Sequence, residues 1–188
     1  MIRTGQTIEN PVTGEKLTFH RTSRDTNEYV IVETVLRPDS QVAAAHVHPY
    51  QTERFEVHEG RVGMKVGRKK LEADPGEVVT VEPGTAHKFW NAGDSEARFT
   101  CKVSPALEFE QLIETMFGLA ADGRTSKKGL PNPLRLAVIA RHHFDDVRLP
   151  FIPHVLERAA LAMGAPLGKA LGYRPVYEPA GEAEAPVA

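Results

Sequence analysis

Up to about residue 105 the chain alternates short β-branched and aromatic runs with turn residues, a pattern that predicts an all-β sandwich or barrel. Asn10-Pro11-Val12-Thr13-Gly14 predicts a hairpin turn between two short strands. A β-branched run follows at 29–36 and ends at Pro38-Asp39-Ser40. Further strands are expected at 42–48, 53–57, 62–66, 78–81, 87–91 and 97–103, with Gly60 and Asp74-Pro75-Gly76 as punctuation. Arg68-Lys69-Lys70 reads as a solvated hairpin turn, and no segment before Tyr29 carries a helical pattern.

The period changes at Ser104-Pro105, where an N-cap residue followed by proline predicts a helix start. Phe109, Leu112, Ile113, Met116 and Phe117 recur at helical spacing, with Glu108 and Glu110 at the positive end of the dipole and Asp122-Gly123 as the stop. Asn132-Pro133 predicts a second helix over 134–141. A third is expected over 153–163, with Val155, Leu156, Ala159, Ala160 and Met163 on one face. That face is expected to pack against the barrel or a second subunit. The division expected is a β-barrel over 1–105, a helical extension over 106–178 and a Pro/Ala/Glu-rich disordered tail over 179–188.

Composition narrows the function classes. The 188 residues are 41% hydrophobic and 26% charged, enough for a buried core without disulfide or zinc staples. A formal charge of −2 favours neither nucleic acid nor an anionic membrane. The lone cysteine, Cys101, excludes an internal disulfide. The first residues lack the apolar stretch of a signal peptide, and no window approaches ~18 uninterrupted apolar residues. A cytoplasmic protein with no membrane span and no nucleic-acid partner is expected.

Chemistry concentrates in two stretches. In His46-Val47-His48-Pro49-Tyr50-Gln51-Thr52-Glu53, the two histidines are two apart and face the same side of a strand. Glu53, Phe55 and Val57 share one face of the next strand. The second stretch runs from Gly76 through Pro83-Gly84-Thr85-Ala86-His87-Lys88-Phe89-Trp90-Asn91, where a tight turn delivers His87 to a strand start. Imidazole suits Zn, Cu, Fe or Ni, and a carboxylate beside it extends the range towards Mn. Three histidines and one carboxylate leave positions open, as a reactive metal site requires.

These stretches resemble the paired motifs of the cupin superfamily. His46, His48, Glu53 and Gly60 fall at the spacing of the first motif, and Gly76, Gly84, His87 and Asn91 at that of the second. Ser40 stands where the family's opening glycine belongs, and Glu82 where a proline belongs, with Pro83 beside it. The resemblance covers about residues 30–105. It implies a mostly β protein, a double-stranded β-helix (jelly-roll) barrel, here followed by a C-terminal α-helical extension. It implies one divalent transition metal (Fe, Mn, Ni, Co, Cu or Zn) held by His46, His48, Glu53 and His87. In some cupins the carboxylate, here Glu53, leaves the metal and acts as a base. Family members with this ligand set include dioxygenases, isomerases, lyases and decarboxylases. A dioxygenase-type oxidoreductase acting on a small molecule is preferred, and a non-catalytic ligand- or metal-binding module or an isomerase or lyase is the alternative. A homodimer is expected.

Phe55, Met64, Phe89 and Cys101 are candidate pocket residues, although such residues in a barrel are more often core. Trp90 faces away from Phe89 and is expected under the helices. Asn91 is expected to stabilise a turn, and Arg54 to point outward. His20 and His58 read as surface residues. His142-His143 with Asp145-Asp146 raises a second metal site, but adjacent helical residues diverge by about 100°, which counts against it.

Overall fold

In the computed structural model, residues 1–38, 40 and 44–178 are described. The predicted strand at 42–48 and the tail at 179–188 lie partly or wholly outside them. Among the described residues nine strands form: β1 Thr7–Asn10, β2 Glu15–Arg21, β3 Val30–Leu36, β4 Thr52–Glu59, β5 Val62–Val66, β6 Lys69–Ala73, β7 Val78–Val81, β8 His87–Asn91 and β9 Ala97–Ser104. They pair antiparallel into a six-stranded sheet, β1-β2-β3-β9-β4-β7, and a three-stranded sheet, β6-β5-β8. The fold is therefore mostly β with two sheets, and helices follow at its C-terminal side.

Burial follows the two-residue period. Along β3 the residues alternate buried and half-buried, with Val30, Val32, Thr34 and Leu36 inward. Phe55 and Val57 of β4, Val62 and Met64 of β5, and Phe99, Cys101 and Val103 of β9 complete the core with Phe19. Within it the Phe55, Phe89 and Phe99 rings lie 5.4–5.8 Å apart in tilted or edge contacts. Gly60, at φ +68°, turns the chain between β4 and β5 where a Cβ would stand 2.4 Å from the Glu96 carbonyl oxygen, so a side chain has no room.

Several sequence expectations need correction. Gly67-Arg68 alone forms the turn after β5, and Lys69 and Lys70 belong to β6, whose charged residues suit a sheet edge. A single helical turn, α1 (Ser23–Thr26), precedes Tyr29; a reciprocal cap between Thr22 and Asp25 stabilises it. The first long helix does not begin at Ser104-Pro105. Ser104 still belongs to β9 and pairs with Thr52, and Leu107 takes a left-handed φ of 47°, so α2 spans Phe109–Ala121.

α2 joins the two parts of the molecule. Phe109, Ile113 and Phe117 pack into the barrel core, while Leu112, Met116 and Leu119 pack with Ile139. α3 (Pro133–His142) starts where expected, because the Asn132 side chain accepts the Arg135 N–H at 3.0 Å. α4 (His154–Ala170) runs beyond the expected end at 163 and contains Pro166. That proline leaves the Ala162 carbonyl without its helical N–H, and Arg141 donates to it at 3.4 Å. α4 lies on α3 through Ala165 and Gly168, and not through its apolar face: Val155, Leu156 and Met163 are exposed.

Candidate metal centre

The four residues singled out by spacing meet at one point. His46 and Val47 form isolated bridges instead of a regular strand. His46 exchanges backbone hydrogen bonds with His87 at the start of β8 (3.0 and 2.9 Å), and Val47 exchanges them with Arg148 (3.0 and 2.9 Å). The His48 carbonyl accepts the Gly84 N–H at 2.8 Å, which ties the first motif to the turn of the second. Glu53 enters from β4, opposite Val81 of β7 and Val103 of β9.

Side-chain geometry then sets the chemistry. The imidazole centroids are separated by 4.9 Å (His46–His48), 4.3 Å (His46–His87) and 5.6 Å (His48–His87). In every ring Nδ1 faces a backbone carbonyl: Ala44 at 3.0 Å, Asp146 at 2.5 Å and Thr85 at 3.1 Å. A ring that donates from Nδ1 holds its free lone pair on Nε2. The Nε2 of His48 lies 3.6 Å from Glu53 Oε1, and that of His87 lies 2.6 Å from Glu53 Oε2. The donor atoms of all four residues lie within 4.8 Å of one another.

Two of those atoms, His87 Nε2 and Glu53 Oε2, are buried and make no hydrogen bond of acceptable angle despite their closeness. Buried polar atoms left in this state are costly unless something else satisfies them. Here they converge on a common point between the side chains, the arrangement of ligands around an ion. Two nitrogens and an oxygen with the third imidazole beside them fit a divalent transition metal.

Charge supports the same fit. Burial pushes the Glu53 carboxyl up, but His48, His87 and His46 outweigh it and hold the carboxyl down to about 2. Burial, reinforced by His87 and His48, pushes His46 down to about 3. Burial opposes protonation of His87, yet the Glu53 carboxylate overrides it and raises its pKa. At neutral pH Glu53 is thus ionised and His46 neutral, both in the form that binds a cation.

The remaining candidates are placed as follows. Phe55 is buried, its ring 6.4 Å from His87, and Met64 is buried opposite Phe89. Cys101 is buried with Sγ 4.0 Å from Glu53 Oε1; burial, then the Glu53 charge, pushes its thiol well above the ordinary value. Arg54 points outward to Glu56 (2.7 Å), and Asn91 braces the loop after β8 by donating to Leu36 and Ser95 carbonyls. Trp90 is not under the helices: it covers Gly63, with the Lys70 and Lys88 amino groups 5.4 and 5.8 Å from its ring. A surface cavity of about 450 Å³ is lined by Leu119, Arg135, Tyr173 and Tyr177, and by none of the four converging residues.

The carbonyl of Asp146, which orients His48, was not legible in the sequence. It lies 98 residues away in the chain, and a backbone acceptor leaves no residue-type signal.

Residues 32–103 match the family model of the cupin domain, and that stretch is the one that supplies strands β3 to β9 of the two sheets. A curated relative, the epoxidase AtD of Aspergillus terreus, is 27% identical over 157 residues, 78% of this chain and 48% of that protein. The polyketide synthase CurC of Streptomyces cyaneus is 34% identical over 73 residues, 38% of this chain and 46% of that protein. The chain thus spans about half the length of the curated relatives it matches. Among solved structures, KdgF from Halomonas sp. has the same fold, with a TM-score of 0.50 and 14% identity over 58% of this chain and 96% of that one.

Proposed function

We propose that the protein is a metal-dependent enzyme acting on a small organic molecule at a centre formed by His46, His48, Glu53 and His87. The observation that carries this is the joint orientation of three imidazoles, each anchored through Nδ1 to a carbonyl, around one buried carboxylate. When bound, a divalent transition metal supplies Lewis acidity or, if redox-active, electron transfer to dioxygen. Within the four ligands, Glu53 is the one carboxylate, beside His48 and His87, and is proposed as a proton acceptor when it leaves the metal.

A dioxygenase-type oxidoreductase is the preferred reaction class. The likeness to an epoxidase favours oxidative chemistry, and the likeness to a polyketide synthase favours a small organic substrate. Cys101 beside Glu53 and Phe55 beside His87, with Phe89 against Phe55 and Met64 opposite Phe89, are proposed as the apolar wall of the site. Oxygen uptake by the iron-loaded chain across phenols, diketones and thiols tests the preference. Turnover without oxygen uptake would favour an isomerase or lyase, and no turnover with metal bound would favour a binding module.

We also propose a homodimer formed through α4. Leu156, Met163, Leu167 and Leu171 form an exposed apolar stripe at helical spacing, next to exposed Phe151 and Val155. The helix carries only Glu157, Arg158 and Lys169 as charges, too balanced for an anionic lipid surface. Among the described residues no helix is long and apolar enough to cross a membrane.

A further inference from the structure

Outside the barrel, a second set of metal-ligating side chains meets where α2 and α3 touch. His142 and His143 are adjacent in sequence, and on an unbroken helix their rings would diverge. Here the rings nevertheless come together, with His143 as the C-cap of α3 at φ −90° and ψ 31°. The two imidazoles cross edge-on with centroids 4.8 Å apart. Glu108, the residue before α2, brings a carboxylate to the same place: Oε2 lies 3.4 Å from His142 Nε2 and 3.6 Å from His143 Nδ1.

Those separations suit an ion better than direct contacts. Charge-assisted N–H···O hydrogen bonds run at about 2.7–2.9 Å. A tetrahedral ion about 2.1 Å from each donor holds the donors about 3.4 Å apart. The site is also braced. Asp146 accepts the Glu108 backbone N–H through Oδ1 at 2.8 Å and places Oδ2 3.3 Å from His143 Nδ1. His143 is fully buried and its Nε2 has no hydrogen-bond partner, so all compensation for burying that ring comes through Nδ1. His142 and Glu108 are 39% and 51% exposed on their side chains, which leaves a water-accessible side for entry and for further ligands.

We propose that Glu108, His142 and His143 form a second divalent-cation site, of the zinc class, with Asp146 Oδ2, 3.3 Å from the same His143 nitrogen, as a further oxygen donor within reach. Two imidazoles, one carboxylate and no thiolate are a donor set that zinc accepts. The site stands directly behind the barrel centre, because the Asp146 whose side chain braces it also gives its carbonyl to His48.

Zinc bound per chain, by equilibrium dialysis and elemental analysis of the full chain, tests this. His142→Ala and Glu108→Gln change exposed side chains and should keep the wild-type thermal melt while losing one equivalent of zinc. Removing an outer partner of a metal ligand costs roughly 10–100-fold in affinity, so loss of a ligand should weaken that equivalent at least tenfold. In a His46→Ala/Glu53→Gln background the chain should retain one equivalent, and adding His142→Ala should abolish it. Failure of the barrel centre alone would leave wild type with one equivalent that only the His142 and Glu108 changes remove. Unchanged zinc content and affinity in both His142→Ala and Glu108→Gln would overturn the proposal and leave a hydrogen-bonded cluster.

Discussion

The barrel and the last helix use the same apolar residue types in opposite ways. In the barrel the inward side chains of both sheets meet each other, and Phe19, Phe99, Met64 and Leu36 are fully covered. In α4 the small and polar residues face the neighbouring helix, and the large apolar ones face out: Glu157, Ala165 and Gly168 are buried, while Leu156, Met163 and Leu167 are 62%, 70% and 61% exposed. Periodicity reports which residues share a face. It does not report what covers that face: the described residues cover the barrel's and leave that of α4 exposed.

The contrast can be broken most strongly inside the barrel. Phe99→Ala removes a fully buried ring packed on Phe55 and Phe89 and should cost about 3–5 kcal/mol in denaturant unfolding. Next comes Glu15, buried in the barrel wall with a 2.6 Å hydrogen bond from Thr13. Burial pushes its carboxyl up to about 7, more than the Thr13 hydrogen bond pulls it down. Because the folded pKa lies above the unfolded one, its contribution is intact below about pH 4.5 and is lost as pH rises through about 7. Glu15→Gln should therefore gain on wild type across that window, by on the order of 3 kcal/mol at pH 8, and show no further gain above it. A constant difference from pH 4 to 8 would contradict this.

At the helix junction the expected effects are smaller. A Cβ on Gly168 would stand 2.5 Å from the Leu134 carbonyl oxygen and 2.6 Å from a Val138 methyl. Gly168→Ala should cost about 1–3 kcal/mol and loosen α4 from α3, seen as faster amide exchange confined to those helices. Leu167→Glu, on the exposed stripe, should change monomer stability by less than about 0.5 kcal/mol yet convert a dimer to a monomer in light scattering. A monomeric wild type would remove the proposed role of that face.

Much of the barrel was legible because its strands carry a two-residue period bounded by glycine, proline and aspartate; β5, β7 and β8 fall on the expected residues. β6 was hidden by Lys69 and Lys70, whose charge signals solvent but not whether the backbone is paired. The helix start at Ser104-Pro105 misled because a good local capping pair lies inside a strand end already paired to β4. At the candidate metal centre, the spacing of the two stretches and their resemblance to the paired cupin motifs named the four side chains that converge. The carbonyls that orient the rings were not visible, since any residue can supply one. The meeting of Glu108 with His142 was equally hidden, because it depends on where α3 stops and on how α2 crosses it.

The central claim is that His46, His48, Glu53 and His87 hold one metal ion. Metal bound per chain, measured in the His142→Ala protein so that the two sites are not confounded, tests it most directly. One equivalent is predicted there, falling at least tenfold in affinity with either His48→Ala or Glu53→Gln added. The same metal content and affinity in all three proteins would contradict it.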